Sequence, residues 1–204
     1  KTAPIIKLGA ITVNPPLCFL VLFNLPLITP YMAIGENIKN ILLTGTSGFL
    51  GGHIKSHLNA QSSRWRIFVI ANQEEFESFE EKFVNQQFDV VIHSGFSIDF
   101  QRSKSMDASK NIENTRRVFK FSEERGASYA IFLSAAGTLG VSKNDQVRNE
   151  DHFGKTDPDF IDYLNTQYIQ DKIACQKTVD DLPFPAVTLY LTTVYGPSMD
   201  ANVM

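Results

Sequence analysis

Ile41-Leu42-Leu43-Thr44-Gly45-Thr46-Ser47-Gly48-Phe49-Leu50-Gly51-Gly52 decides the fold. A short apolar run ends in glycines at i, i+3 and i+6, and Leu50, Ile54 and Leu58 follow at helical spacing. A strand, a glycine-rich turn and a helix in that order make a phosphate-binding unit. Gly45 can turn sharply off the strand, Gly48 lets backbone amides approach a pyrophosphate, and Gly51 lets the helix lie close on the sheet with its N-terminus toward the negative charge. Gly45, Ser47, Gly48, Phe49, Leu50 and Gly51 are therefore the expected phosphate and cofactor contacts.

From Asn37 onward the same alternation repeats. Runs rich in Val, Ile, Leu and Phe at 40–44, 66–70, 89–93, 129–133 and 186–191 read as strands buried on both faces. Amphipathic stretches separate them: Phe76, Phe79 and Phe83 after the second run, and Val118 and Phe121 after the third. After the fourth, Tyr168, Lys172 and Gln176 share one helix face and Ile169, Ile173 and Val179 another. Successive βαβ units with right-handed crossovers predict an α/β fold, a Rossmann-type doubly wound parallel sheet with helices on both faces.

A chain of 204 residues, 43% hydrophobic, can bury one sizeable core. Its formal charge of −3 gives no basic footprint, which excludes a dedicated nucleic-acid binder and makes a small molecule the expected partner. Cys18 and Cys175 lie far apart with no CxxC pair, so neither a disulfide framework nor a zinc knuckle is expected, and a reducing cytoplasm fits. Residues 1–31 are rich in Pro, Ile, Leu and Phe and hold no acid. Their apolar run at 17–28 is shorter than the ~20 residues a membrane span needs and is broken by Asn24 and Pro26. They read as a leader or non-domain segment ahead of Met32, with no membrane partner. The domain is read as 32–204, with its substrate-binding part truncated soon after Tyr195-Gly196-Pro197.

Tyr168 and Lys172 stand four apart, on one face of a helix that follows the fourth strand and precedes the fifth. A phenol with an ordinary pKa of ~10 is a poor proton carrier near neutrality, and a neighbouring ammonium is expected to favour its ionised form. The pair suits acid–base work at a hydroxyl or carbonyl.

The GxxGxxG turn and the YxxxK pair together resemble the extended short-chain dehydrogenase/reductase superfamily, the NAD(P)-dependent epimerases, dehydratases and reductases. Further segments carry the likeness over residues 38–197. Val90-Val91-Ile92-His93-Ser94-Gly95 is similar to the strand usually written VIHLAA. Asn111-Ile112-Glu113-Asn114-Thr115 is similar to the NVxGT helix, with Asn114 where glycine is usual. Residues 130–140 resemble a strand ending in SSxxVYG, and Val194-Tyr195-Gly196-Pro197 a VYGP turn.

The resemblance implies hydride transfer with NAD or NADP on a nucleotide sugar or another hydroxyl or ketone compound, with homodimerisation left open. It also implies the site: Tyr168 as general acid/base, Lys172 lowering its pKa and holding the nicotinamide ribose, Asn111 supporting the active site, and Asn72, Ser94 and Gly95 beside the cofactor. Three departures stand out. The hydroxyl that should orient the substrate oxygen falls on Ala135, so Ser134, or else Thr138, is expected to supply it. A non-catalytic dinucleotide-binding regulator or scaffold is the alternative that Ala135 motivates. The end of the second strand offers Ala71-Asn72-Gln73, with Glu74 and Glu75 slightly late and Arg64 and Arg66 too early, so the choice between NAD and NADP stays undetermined. Residues 71–88 hold a single acidic helix where many members place an additional strand. His53 and His57 are spaced i,i+4 but lack the glutamate of HExxH and a third ligand, so no metal is expected.

Overall fold

The computed structural model describes residues 39–60, 65–97, 108–143, 146–192 and 194. The leader segment, Met32, Cys18, Arg64 and Tyr195-Gly196-Pro197 lie outside the described residues. Five strands, β1 (Lys39–Thr44), β2 (Trp65–Ile70), β3 (Val90–His93), β4 (Tyr129–Ala135) and β5 (Ala186–Leu191), form one parallel sheet in the order β2-β1-β3-β4-β5. These are the five strands anticipated from the apolar runs. β4 runs two residues further than expected, which puts Ser134 and Ala135 inside the ladder, opposite Tyr190 and Leu191.

The order reverses between β1 and β3, the switch point at which a doubly wound sheet leaves a crevice beyond the carboxyl ends of its strands. Around the sheet lie α1 (Phe49–Asn59), the single-turn α2 (Phe79–Lys82), α3 (Ala108–Glu124), the single-turn α4 (Ile161–Leu164) and α5 (Gln167–Asp180). Strand alternation sorts the core into two layers. Ile41, Leu43, Ile92, Ile131, Leu133, Val187 and Leu189 pack with Ile54 and Leu58 of α1. Leu42, Val91, Ala130 and Phe132 point the other way, onto Val118 and Phe119 of α3 and Cys175 and Val179 of α5.

The single helix anticipated from Phe76, Phe79 and Phe83 is instead a 3-10 turn (Glu75–Glu77) and the short α2, separated by Ser78 at φ −132°. Among the described residues no further strand stands there, and β2 is an edge. The three rings are nevertheless all buried, so burial of aromatic area and not helical continuity organises this segment. Phe79 is fully buried, edge-on to Phe76 at 5.9 Å and to Phe121 at 5.3 Å, under the Arg117 guanidinium at 5.2 Å. Arg117 itself makes a two-pronged bond to Glu80, at 2.8 and 2.6 Å. Phe79→Ala is expected to cost about 3–5 kcal/mol, read by urea unfolding, because rings held from three sides cannot collapse into the void.

Candidate active site at the carboxyl edge of the sheet

Gly45 leaves β1 at φ +73°, a conformation open to glycine, and its amide donates to Ile70 O at 2.7 Å. A Cβ on Gly45 would lie 2.5 Å from Gly95 Cα, and a Cβ on Gly51 would run into Gly45 O. The turn is thus packed backbone against backbone. No side chain caps the N-terminus of α1 and its first turn holds no acid, so the amide end of an eleven-residue helix faces the crevice without a protein anion. These features fit a pyrophosphate, and Gly48, Phe49 and Leu50 are the residues there. Ser47 is tied elsewhere: its amide and hydroxyl both donate to Ala71 O, at 3.1 and 2.7 Å.

At the end of β2, Asn72 Oδ1 accepts from the Glu75 amide at 3.1 Å, while Glu75 Oε2 accepts from the Ala71 amide at 3.1 Å and from Lys82 Nζ at 3.2 Å. The Ala71 amide holds the Glu75 carboxyl below its usual range, with Lys82 assisting against the opposing effect of burial. An acid that stands late in the sequence is therefore folded back to the strand end. The signal for it is the Asn72-x-x-Glu75 spacing: Asn72 accepts from the Glu75 amide while the Glu75 carboxylate returns to the amide one residue before Asn72, a pairing akin to a capping box.

β3 delivers a buried polar line. Gly95 N donates to Thr44 Oγ1 at 3.0 Å, Thr44 Oγ1 lies 2.7 Å from His93 Nδ1, His93 Nε2 lies 3.0 Å from Thr115 Oγ1, and Thr115 donates to Asn111 O at 2.8 Å. Since Thr115 gives its one proton to Asn111 O, or to Cys175 Sγ at 3.3 Å, it accepts from His93. The network assigns the proton to Nε2 and leaves Nδ1 as acceptor for Thr44. Burial pushes the His93 imidazole down to about 3, and the Lys172 charge adds to that. Ser94 Oγ donates to Thr44 O at 2.5 Å. The side-chain amide of Asn111 holds Ser97 at both ends, its Oδ1 accepting from Ser97 N and its Nδ2 donating to Ser97 O, each at 2.9 Å.

α5 turns its polar stripe inward. Lys172, 6% exposed, donates to Leu133 O at 3.0 Å, and its Nζ lies 4.0 Å from the Phe96 ring centroid and 5.4 Å from that of Phe132. Gln176 donates to Thr188 of β5 at 2.7 Å. Tyr168 is half-buried, and its ring meets Phe96 edge to face at 5.6 Å. The expected lowering of the Tyr168 pKa by Lys172 is not found: burial raises the phenol, and the nearby Tyr163 phenol adds to the rise. The reason is geometric, since the ammonium is drawn to Leu133 O and the Phe96 face. Burial also pulls Lys172 down to about 8, against an upward pull from Cys175.

Ser134 and Ala135 take opposite faces of β4. Ser134 shares its face with Phe132, the ring beside Lys172, and its buried hydroxyl has no hydrogen-bond partner among the described residues. Thr138 is fully buried and donates to Ala135 O at 2.7 Å, so its hydroxyl is committed to backbone. Two residues at the site escaped sequence reasoning, Phe96 and Tyr163. Tyr163 Oη stands against Gly137, where a side chain would collide with it.

The model of the family described as the NAD dependent epimerase/dehydratase family matches residues 41–204. No curated protein sequence matches the chain. The fold is similar to the Bordetella bronchiseptica enzyme WbmG, solved in complex with NAD and UDP (TM-score 0.61, 20% identity, covering 79% of this chain and 55% of that one). It is also similar to UDP-glucose 4-epimerase of Thermotoga maritima, solved with UDP-glucose (TM-score 0.59, 20% identity, 79% and 58%). A third likeness is to a short-chain dehydrogenase/reductase superfamily protein of Agrobacterium tumefaciens with bound NAD (TM-score 0.51, 17% identity, 74% and 48%). The chain spans about half the length of these proteins.

The buried neutral imidazole makes stability depend on pH with a definite sign. The unfolded histidine protonates near 6.5 and the folded one near 3, so this contribution is complete above pH 6.5 and is lost as pH falls from there. Between pH 7 and pH 5 the protein is expected to lose about 2 kcal/mol more than a His93→Gln variant, measured by urea unfolding. An imidazole spectrum by NMR that protonates near its ordinary value would overturn the assignment.

Proposed function

The chain belongs to the NAD-dependent epimerase/dehydratase family, and from that premise we propose that it binds NAD or NADP at the β1–α1 turn and catalyses hydride transfer on a hydroxyl or ketone substrate, a nucleotide sugar, with Tyr168 and Lys172 as its acid–base pair. One observation carries the reading. A buried ammonium and a half-buried phenol from α5 and a buried hydroxyl from β4, without a partner among the described residues, come together at the carboxyl end of β4, beside the switch-point crevice. A hydroxyl left without a partner in an interior is costly, and a substrate oxygen would supply what it lacks.

Gly48, Phe49 and Leu50 would hold the pyrophosphate with backbone amides, helped by the helix end. When bound, the nicotinamide supplies or accepts the hydride. Burial keeps the Tyr168 phenol protonated at neutral pH, so it begins as the acid and gives its proton to the carbonyl oxygen being reduced. The Lys172 ammonium, one turn along the helix and in contact with the same Phe96 ring, would stabilise the phenolate as it forms. Ser134 donates to the same oxygen and fixes its direction. Asn111 acts through Ser97, holding the loop after β3 in place. UDP-containing ligands in the WbmG and Thermotoga maritima structures support a nucleotide sugar as substrate.

Tyr168→Phe is expected to lower kcat/KM on a UDP-sugar about 10²–10⁴-fold while dinucleotide affinity, measured by calorimetry, stays within a few fold. Loss of one oxygen-binding donor in Ser134→Ala should cost about 10²-fold in kcat. Full turnover by Tyr168→Phe sinks the mechanism. A wild-type protein that binds dinucleotide yet changes cofactor absorbance with no sugar or ketone would instead be the regulator that Ala135 suggested.

A further inference from the structure

The loop that leaves β3 is fastened on either side of Phe96. Gly95 N is held by Thr44 Oγ1, and Ser97 is held at both its amide and its carbonyl by the buried Asn111 side chain. What this fastening presents is one aromatic ring. Its face lies 4.0 Å from Lys172 Nζ, and the Tyr168 ring meets it at 5.6 Å and 88°. The two residues of the proposed acid–base pair therefore touch the same third side chain.

Lys172 needs such a neighbour. Its ammonium is almost wholly buried and carries three N–H donors, and among the described residues it has one acceptor, Leu133 O, and no carboxylate within ion-pair distance. An ammonium so placed loses its hydration without gaining a counter-ion, which favours deprotonation. The negative face of an aromatic ring is the remaining source of compensation, and Phe96 is closer than Phe132, at 4.0 against 5.4 Å.

We propose that Phe96 is the positioning residue of the Tyr168 and Lys172 pair: the face of its ring keeps Lys172 charged and seated at the end of β4, beside Tyr168. The inference rests on the proposed catalytic roles only for the pair it names, because the contact exists without ligand. A leucine at 96 would exclude water about as well as phenylalanine but would bring no ring quadrupole. A tyrosine would restore the ring. The titratable groups facing Lys172 are His93 from β3 and Cys175 from α5, the last with Asp171 near it, while Tyr168 shares the Phe96 ring; none is altered by either substitution.

The test is the pH dependence of the Lys172 Nζ resonance in the ligand-free full chain, read by heteronuclear NMR with isotope-labelled lysine and assigned with Lys172→Arg. In Phe96→Leu the midpoint is expected to fall by about 1.5 relative to wild type, the size of a desolvated cation–π contact, and in Phe96→Tyr to return to the wild-type value. If leucine leaves the midpoint unchanged, or leucine and tyrosine move it equally, the ring is packing alone and the inference is overturned. Should Phe96→Leu not fold, Phe96→Met makes the same comparison. Failure of the catalytic reading is separable, since it would appear as turnover by Tyr168→Phe with the lysine midpoints unaffected.

Discussion

Three glycine backbones meet where β1 becomes α1, and the carboxyl edge of the sheet is placed from that contact. Gly45 touches Gly95 at the end of β3 and Gly51 in the first turns of α1 so closely that a side chain on Gly45 or Gly51 would displace backbone. Nothing smaller than this approach lets the helix end reach the crevice at the switch point. From Gly95 the constraint travels outward through hydrogen bonds. Its amide fixes Thr44, Thr44 meets His93, and His93 meets Thr115 on α3, which shares its hydroxyl between Asn111 and Cys175 of α5. The glycine turn and the helix of the proposed acid–base pair are thereby registered to each other through a line of largely buried polar atoms.

That line needs a neutral histidine. A protonated imidazole would carry a donor at Nδ1, facing a Thr44 hydroxyl that could then no longer donate to the ring, and it would put a second cation near the buried Lys172. Packing among Phe76, Phe119 and Phe132 enforces the neutral form by excluding water. The apolar layer and the polar line are one device: the rings set the protonation state, and the protonation state sets the direction of each hydrogen bond.

The strands and the glycine turn were legible because their signals are local. A parallel strand buried on both faces is an apolar run, and a tight turn needs glycine wherever backbones collide. Helix α5 was harder to read because its sheet-facing stripe is polar: Lys172 and Gln176 point inward to β4 and β5, where periodicity would place hydrophobic residues. The segment after β2 misled for the opposite reason, since its phenylalanines have helical spacing but are buried by a broken backbone. Glu75 looked too late to matter because counting along the chain ignores a 3-10 turn that doubles back. Ser134 against Ala135 was a question of parity. Two extra ladder pairs, Ser134 opposite Tyr190 and Ala135 opposite Leu191, settle which side chain shares the face of Phe132. Phe96 gave no signal at all, because a single aromatic residue after a strand has no pattern to stand out from.

The electrostatics of the pair also differ from what spacing alone suggests. At i and i+4 on a solvated helix, an ammonium and a phenol would lower the phenol's pKa by simple attraction. Here both groups are taken out of water, and burial acts on each in the sense that opposes charge, raising Tyr168 and lowering Lys172. A neutral phenol and a reluctant ammonium, both against the Phe96 ring, are the resting arrangement. Under the proposed roles, a phenolate formed here would offset the cost on both sides at once, because the new anion would be the counter-ion that the buried ammonium lacks among the described residues. The desolvation that makes either charge expensive alone makes the two charges together less so, and the gain grows as the local dielectric falls. In the proposed mechanism the ammonium, seated by an aromatic ring and not by a carboxylate, keeps that interaction in reserve for the oxygen that ionises.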